Sequence, residues 1–176
     1  MHSLRTPRER LQANGAIYAI LRKLPDDERR HWLARILADL QSPKDRERRE
    51  QMLSWDQVRF MNKRGIDFGG HTVNHPFLSR LPPGGVLWEA QQCKQRIEEE
   101  LQQTVTNFAY PSGRQDDFGT WNKDIIRAAG YRAAVTTIWG VNDGSTDRME
   151  LRRGGPWEPT AALFASKLDW YQLTNE

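Results

Sequence analysis

The 176-residue sequence contains a single cysteine, Cys93. An internal disulfide framework and a multi-cysteine zinc site are therefore excluded, and a lone Cys in a helical pattern reads as a small core residue. No run of about 18 apolar residues occurs, so no transmembrane helix and no membrane partner are expected. No basic-then-apolar opening marks a signal peptide, which leaves the compartment open. Excess charge is also scarce: 26 basic against 23 acidic residues give +3, too little to argue for nucleic acid. Apolar residues make up 38% and charged residues 28%, a balance that excludes collagen and bulk disorder. The length suits one domain with one core.

The charge is unevenly spread. Residues 1–50 carry 12 basic and 8 acidic side chains, and the remainder carries 14 and 15. Ile17, Ile20, Leu21 and Leu24 form a helical stripe that Pro25 stops. Asp26 is expected to cap a second helix bearing Trp32, Leu33, Ile36, Leu37 and Leu40, with Arg29 and Arg30 facing water. Residues 44–50 mix signs and read as a solvated linker or helix face. Residues 1–50 are thus expected to be a helical hairpin with a charged linker, and residues 51–176 a separate α/β unit.

From residue 54 helices and strands alternate. Ser54 with Gln57 makes a capping box opening a helix through Arg64, closed by Gly65. Residues 66–69 predict a short strand. A long helix with Val86, Ala90, Cys93, Ile97 and Leu101 on one side follows, then a strand at 107–110. Thr120 is expected to cap a helix through Ala129, residues 131–137 to form the best strand, and residues 160–172 a last helix with Leu163, Phe164, Leu168 and Tyr171 inward. Such alternation argues for parallel strands with crossover helices, whose ligands sit at the carboxyl ends of the strands. The loops HTVNHP (71–76) and YPSGRQDD (110–117) both follow predicted strands and should open on one face.

His71 and His75 are four residues apart, close enough on a turn to share a metal ion. Thr72 could hydrogen-bond within that loop. Four histidines in the chain make the spacing alone a weak signal, and chance pairing stands beside metal ligation. A catalytic zinc usually takes three protein ligands plus water. Asp67, Asp116 and Asp117 are the nearby carboxylates; the last two could reach the same face but read first as surface loop residues.

Taken together, LSWDQVRFMNKRGIDFGGHTVNHPFLSRL, FAYPSG and IIRAAGYRAAVTT followed by LRRGG resemble three ordered blocks of the polysaccharide deacetylase family, the chitooligosaccharide-deacetylase-like hydrolases. The resemblance covers roughly 100 residues, from Leu53 to Arg153. It implies an incomplete distorted (β/α) barrel with an N-terminal helical segment. It also implies metal-dependent removal of N- or O-linked acetyl groups from a glycan, zinc or a similar divalent ion being the cofactor and an acetylated carbohydrate the substrate. His71 and His75 would then be metal ligands, Thr72 a brace, and the Tyr110 N–H an oxyanion donor. Tyr110, Pro111, Ser112, Gly113 and Trp139 would line the groove. The family's Asp-Asp block has no counterpart before residue 53, since Asp26-Asp27 opens a helix, and Ala109 and Arg153 replace a groove Arg and a late His. Residues 1–50 resemble an insertion some members carry. The expectation is a shortened enzyme of weak or no activity alone, self-associating through an exposed sheet edge. The rival is a non-catalytic, partner-dependent or carbohydrate-binding relative, with Trp121, Trp139 and Trp157 stacking on sugars. A basic adaptor role rests only on the first 50 residues.

Overall fold

The computed structural model describes residues 4–40, 52–154 and 158–174. The sign-mixed segment 44–50 and Trp157 lie outside them, as does the Tyr171 side chain. The chain divides into two compact units, Met1–Leu53 and Ser54–Glu176.

In the first unit, α1 (Pro7–Leu21) and α2 (Asp26–Asp39) form a helical hairpin. Thr6 and Glu9 cap α1 reciprocally, with Pro7 at its first position. Pro25, not Asp26, is the N-cap of α2. The Asp26 carboxylate instead accepts from Arg29 and Arg30, at 2.5 Å and 2.6 Å, so neither guanidinium simply faces water. Ile20, Trp32, Leu37 and Leu40 stay exposed, and among the described residues of this unit Ala13 is the buried apolar one.

In the second unit, Ser54 and Gln57 close the expected capping box on α3 (Trp55–Asn62). Gly65 takes φ +87° just after it, the left-handed stop that glycine adopts without strain. A single 3₁₀ turn (Leu78–Arg80) precedes α4 (Pro83–Leu101). Then come β1 (Asn107–Ala109), α5 (Thr120–Ala128), β2 (Ala133–Val135) and α6 (Ala161–Thr174). Gly119 is the N-cap of α5, one residue before the expected Thr120.

β1 and β2 pair in parallel, Phe108 opposite Ala134. Single parallel bridges extend the ladder on both sides, Gly70 to Phe108 and Leu151 to Val135. The spatial order is therefore Gly70, β1, β2, Leu151, with α4 and α5 as crossovers. Residues 66–69 are not a strand; only Gly70 reaches the ladder, donating to Asn107 O and accepting from Ala109 N. Likewise 131–137 shortens to three strand residues.

Phe108, Tyr110, Tyr131, Ile126 and Leu78 centre the core, with Val86 and Ala90 of α4 packed on them. Tyr110 stacks on Phe118 at 4.2 Å and donates its hydroxyl to Met149 O. Burial raises the Tyr110 phenol well above its usual range, so it stays a neutral donor. Cys93 and Ile97 are only half-buried, and Leu163 and Leu168 of α6 are exposed rather than inward.

Candidate active site

The carboxyl ends of the four parallel segments are His71, Tyr110–Gly113, Thr136–Trp139 and the residues after Leu151, so all four loops open at one end of the ladder. His71 and His75 are both exposed there, their ring centroids 4.8 Å apart and their planes at 76°. The pair is brought together by an irregular loop, not by a helical turn. Thr72 (φ 66°) and His75 (φ 53°) both lie in the left-handed region. For a β-branched residue that conformation costs about 1–3 kcal/mol and persists only where surroundings over-determine it. The Thr72 hydroxyl donates to His71 O at 2.5 Å and accepts from His75 N at 3.0 Å.

His71 Nδ1 lies 2.7 Å from Ala109 O. A carbonyl can only accept, so Nδ1 carries the proton and Nε2 keeps its lone pair. Although the residue stays exposed overall, partial desolvation of its ring against β1 holds the His71 pKa below the usual imidazole range. The Ala109 carbonyl opposes this, and the charges of His75 and Arg153 reinforce it. Arg153, at the position where the family resemblance suggests a histidine, therefore acts on the same ring.

The turn after β1 corrects the sequence reading. The Tyr110 N–H donates to Val135 O at 3.1 Å as part of the ladder, so it is not free to hold an oxyanion. Its ring is buried, as are Pro111 and Gly113, which shape the turn without touching solvent. Pro111 has no N–H. The next amide, Ser112, has no protein acceptor among the described residues and sits at φ 59° on the half-exposed turn. Gly113 (φ 64°) is required: a Cβ there would meet Thr137 N at 2.9 Å. Thr137 ties this turn to β2 through Gly113 O and Ser112 O.

Asp117, read as a surface residue, is buried; its carboxylate accepts from Arg114 N at 2.9 Å. Asp67 and Asp116 are exposed. Among the described residues no group of three His, Cys, Asp or Glu could hold a metal ion. Trp121 and Trp139 are exposed, but the Lys167 ammonium lies 3.9 Å from the Trp139 ring centroid. A polar cavity of about 400 Å³, missed in the sequence, lies beyond the same strand ends, lined by Gln115, Ile138, Asp143, Asp147, Glu150 and Arg152 among others. Among the described residues no helix is long and apolar enough to cross a membrane.

The chain is 29% identical over 104 residues to Bacillus subtilis YxkH, a protein named as a polysaccharide deacetylase, covering 57% of this chain and 35% of that one. The deacetylase PplD of Streptococcus pyogenes, solved in complex with acetate, superposes with a TM-score of 0.54 at 31% identity, over 57% of this chain and 43% of PplD. A polysaccharide deacetylase of Bacillus cereus, BC0361, shares the fold with a TM-score of 0.58 at 22% identity, over 66% and 36% of the two chains. The chain thus spans less than half the length of these relatives. The polysaccharide deacetylase family profile matches residues 16–134, more than half of the sequence, and the chain belongs to that family.

Proposed function

We propose that this chain carries part of the active site of a metal-dependent hydrolase that removes acetyl groups from an N- or O-acetylated glycan, with His71 and His75 as two of the metal ligands. The observation that carries the reading is the pair of rings 4.8 Å apart at the strand ends, with His71 Nδ1 engaged by Ala109 O and Nε2 left to bind. A carbonyl on the second nitrogen is the usual way of fixing a ligating imidazole. Zinc suits two imidazoles and, when bound, would lower the pKa of a water and polarise the acetyl carbonyl.

The chain's own residues supply the rest of what can be derived. His71, its pKa lowered chiefly by partial desolvation of the ring, offers the Nε2 lone pair. The Ser112 N–H, in place of Tyr110, is the backbone donor for a developing oxyanion. The polar cavity lined by Asp143, Glu150 and Arg152 suits the hydroxyls of a neighbouring sugar, and Trp139 offers an exposed edge.

The fold is read as an incomplete distorted (β/α) barrel. Among the described residues no further segment pairs on the outer side of Gly70, the residue just before His71. A further parallel strand on that edge would deliver its carboxyl end beside the two imidazoles, the place for a third, carboxylate ligand. An open edge also favours self-association, which size-exclusion chromatography reads directly. Zinc titration by calorimetry tests the central reading. His71→Ala should weaken binding by at least about tenfold, and equal affinity in both proteins would reject His71 as a ligand. Glycan binding that survives a chelator would instead favour a carbohydrate-binding relative.

A further inference from the structure

The loop from His71 to His75 is held from below by α4. Glu89, on that helix, is buried, and its carboxylate faces the loop backbone. One oxygen accepts from Val73 N at 2.7 Å and Asn74 N at 3.0 Å; the other accepts from Asn74 Nδ2 at 2.8 Å. One turn along the same face, Cys93 Sγ accepts from His71 N at 3.4 Å. The two side chains thus grip the loop at its start and at its middle.

Nothing else described holds the amides of Val73 and Asn74. They are consecutive donors that point into the protein because Thr72 adopts φ 66°, which an L-residue with a branched β-carbon does not choose unaided. A buried carboxylate taking two adjacent backbone N–H groups is a charge-assisted clamp, stronger than neutral hydrogen bonds. In its absence the loop would relax Thr72 toward negative φ, swinging His75 away from His71. Phe77 and Pro76 are buried directly after His75, so the far end of the loop is anchored and the slack would fall on the imidazole pair.

We propose that Glu89 is the positioning residue of the paired imidazoles: it selects the left-handed loop conformation that brings the two rings together. The proposal concerns how the rings are held, and it rests on the reading above only for the purpose of that convergence. The Glu89 contacts that carry this are to the loop backbone and to the Asn74 amide, and not to either ring.

The test uses the full chain, isotopically labelled, without and with zinc ion. In the wild type, nuclear Overhauser contacts between the rings of His71 and His75 and slow hydrogen exchange at Val73 and Asn74 are expected. Glu89→Ala should abolish the ring contacts and bring both amides to fast exchange, while the amides of β1 stay protected. Glu89→Gln keeps an acceptor for both backbone donors, and Asn74 can turn its amide to match, so it should stay close to wild type. Asn74→Ala, on an exposed side chain, should speed exchange at the two amides by roughly threefold to tenfold, which keeps the test open if Glu89→Ala does not fold. Ring contacts and protection unchanged in Glu89→Ala, or no change in exchange in Asn74→Ala, overturns the proposal, as does loss of protection in Glu89→Gln equal to that in Glu89→Ala. Zinc affinity should fall by about tenfold in Glu89→Ala and recover in Glu89→Gln. Should the wild type bind no zinc while the ring contacts follow the predicted order, the metal reading fails and the positioning role stands.

Discussion

Gly70 is the residue through which the candidate site and the core meet, and replacing it by alanine gives a worked test of the packing. A Cβ on Gly70 would lie 2.1 Å from the Tyr131 hydroxyl oxygen and 2.7 Å from the ring carbon bearing it. The Tyr131 ring is buried, packs on Phe108 at 5.0 Å, and donates its hydroxyl to Ala90 O at 3.0 Å. It cannot swing into solvent, so either Tyr131 or the Gly70 backbone must shift. Forcing one carbon into a packed core costs about 1–3 kcal/mol, and breaking the Tyr131 hydrogen bond adds about 1 kcal/mol. Gly70→Ala should therefore destabilise the second unit by about 2–4 kcal/mol, read as a lowered urea midpoint at unchanged slope.

A double-mutant cycle isolates the cause. Tyr131→Phe removes the atom nearest the new carbon and alone costs about 1 kcal/mol. In the Gly70→Ala background the same change relieves the clash, so the pair should be less destabilised than the sum by about 1 kcal/mol or more. Relief is partial because the ring carbon remains close. Strict additivity, or a loss below about 1 kcal/mol for Gly70→Ala, refutes the packing argument.

Two further outcomes follow from buried polar groups. Asn122 is fully buried, accepting from Gly119 N at 2.8 Å and donating to Leu78 O at 3.2 Å. Leu78 O also accepts from Leu81 N, so Asn122→Ala strands the Gly119 N–H and should cost about 1–3 kcal/mol by urea unfolding, with Asn122→Asp no better. In the hairpin, burial is the largest influence on Asp26 and raises its pKa, but hydrogen bonds and charge from Arg29 and Arg30 outweigh it and leave the carboxyl below its ordinary 3.8. A carboxyl depressed by folding binds fewer protons in the fold. Its contribution is whole above the ordinary value and disappears as pH falls through the lower folded value. Asp26→Asn should thus lower helicity measured by circular dichroism at neutral pH, and the gap between variant and wild type should close below about pH 4; a constant gap down to pH 2 would contradict the pairing.

Sequence pattern made the helices and the site face readable, and failed where a partner strand decides the outcome. Ser54 with Gln57 is a local signal and forms as expected, and the same grammar in Thr6-Pro7-Arg8-Glu9 marks the start of α1, ahead of the apolar stripe that begins at Ile17. Ile66 to Gly69 looks like a strand because apolar and polar residues alternate, but a strand exists only with a neighbour, and only Gly70 finds one. The same non-local pairing explains Tyr110: which amide of the turn is free depends on register with Val135, a distance of 25 residues that no motif encodes. His71 and His75 stood out by type and spacing. Glu89 did not, being one acid among several on a charged helix, and its task appears only when the loop is folded over it.

The chemistry of the candidate site is inseparable from sheet pairing because one residue serves both. Ala109 N donates to Gly70 O at 2.8 Å, joining β1 to the segment that ends in His71. Ala109 O, on the same residue, receives the His71 Nδ1 proton at 2.7 Å. The tautomer of His71, and hence which nitrogen is left to bind, is fixed by the strand that holds His71 in place. Separation of Gly70 from β1 would remove the acceptor of the Nδ1 proton and free the imidazole to rotate. The Gly70 edge carries no further strand among the described residues, and a single bridge holds it. A strand pairing on that edge would do two things at once: complete the ladder and suppress the opening that unlocks His71. The contacts that hold the Gly70 segment on β1 and the one that orients the His71 ring thus share Ala109, so whatever covers that edge should also steady the ring.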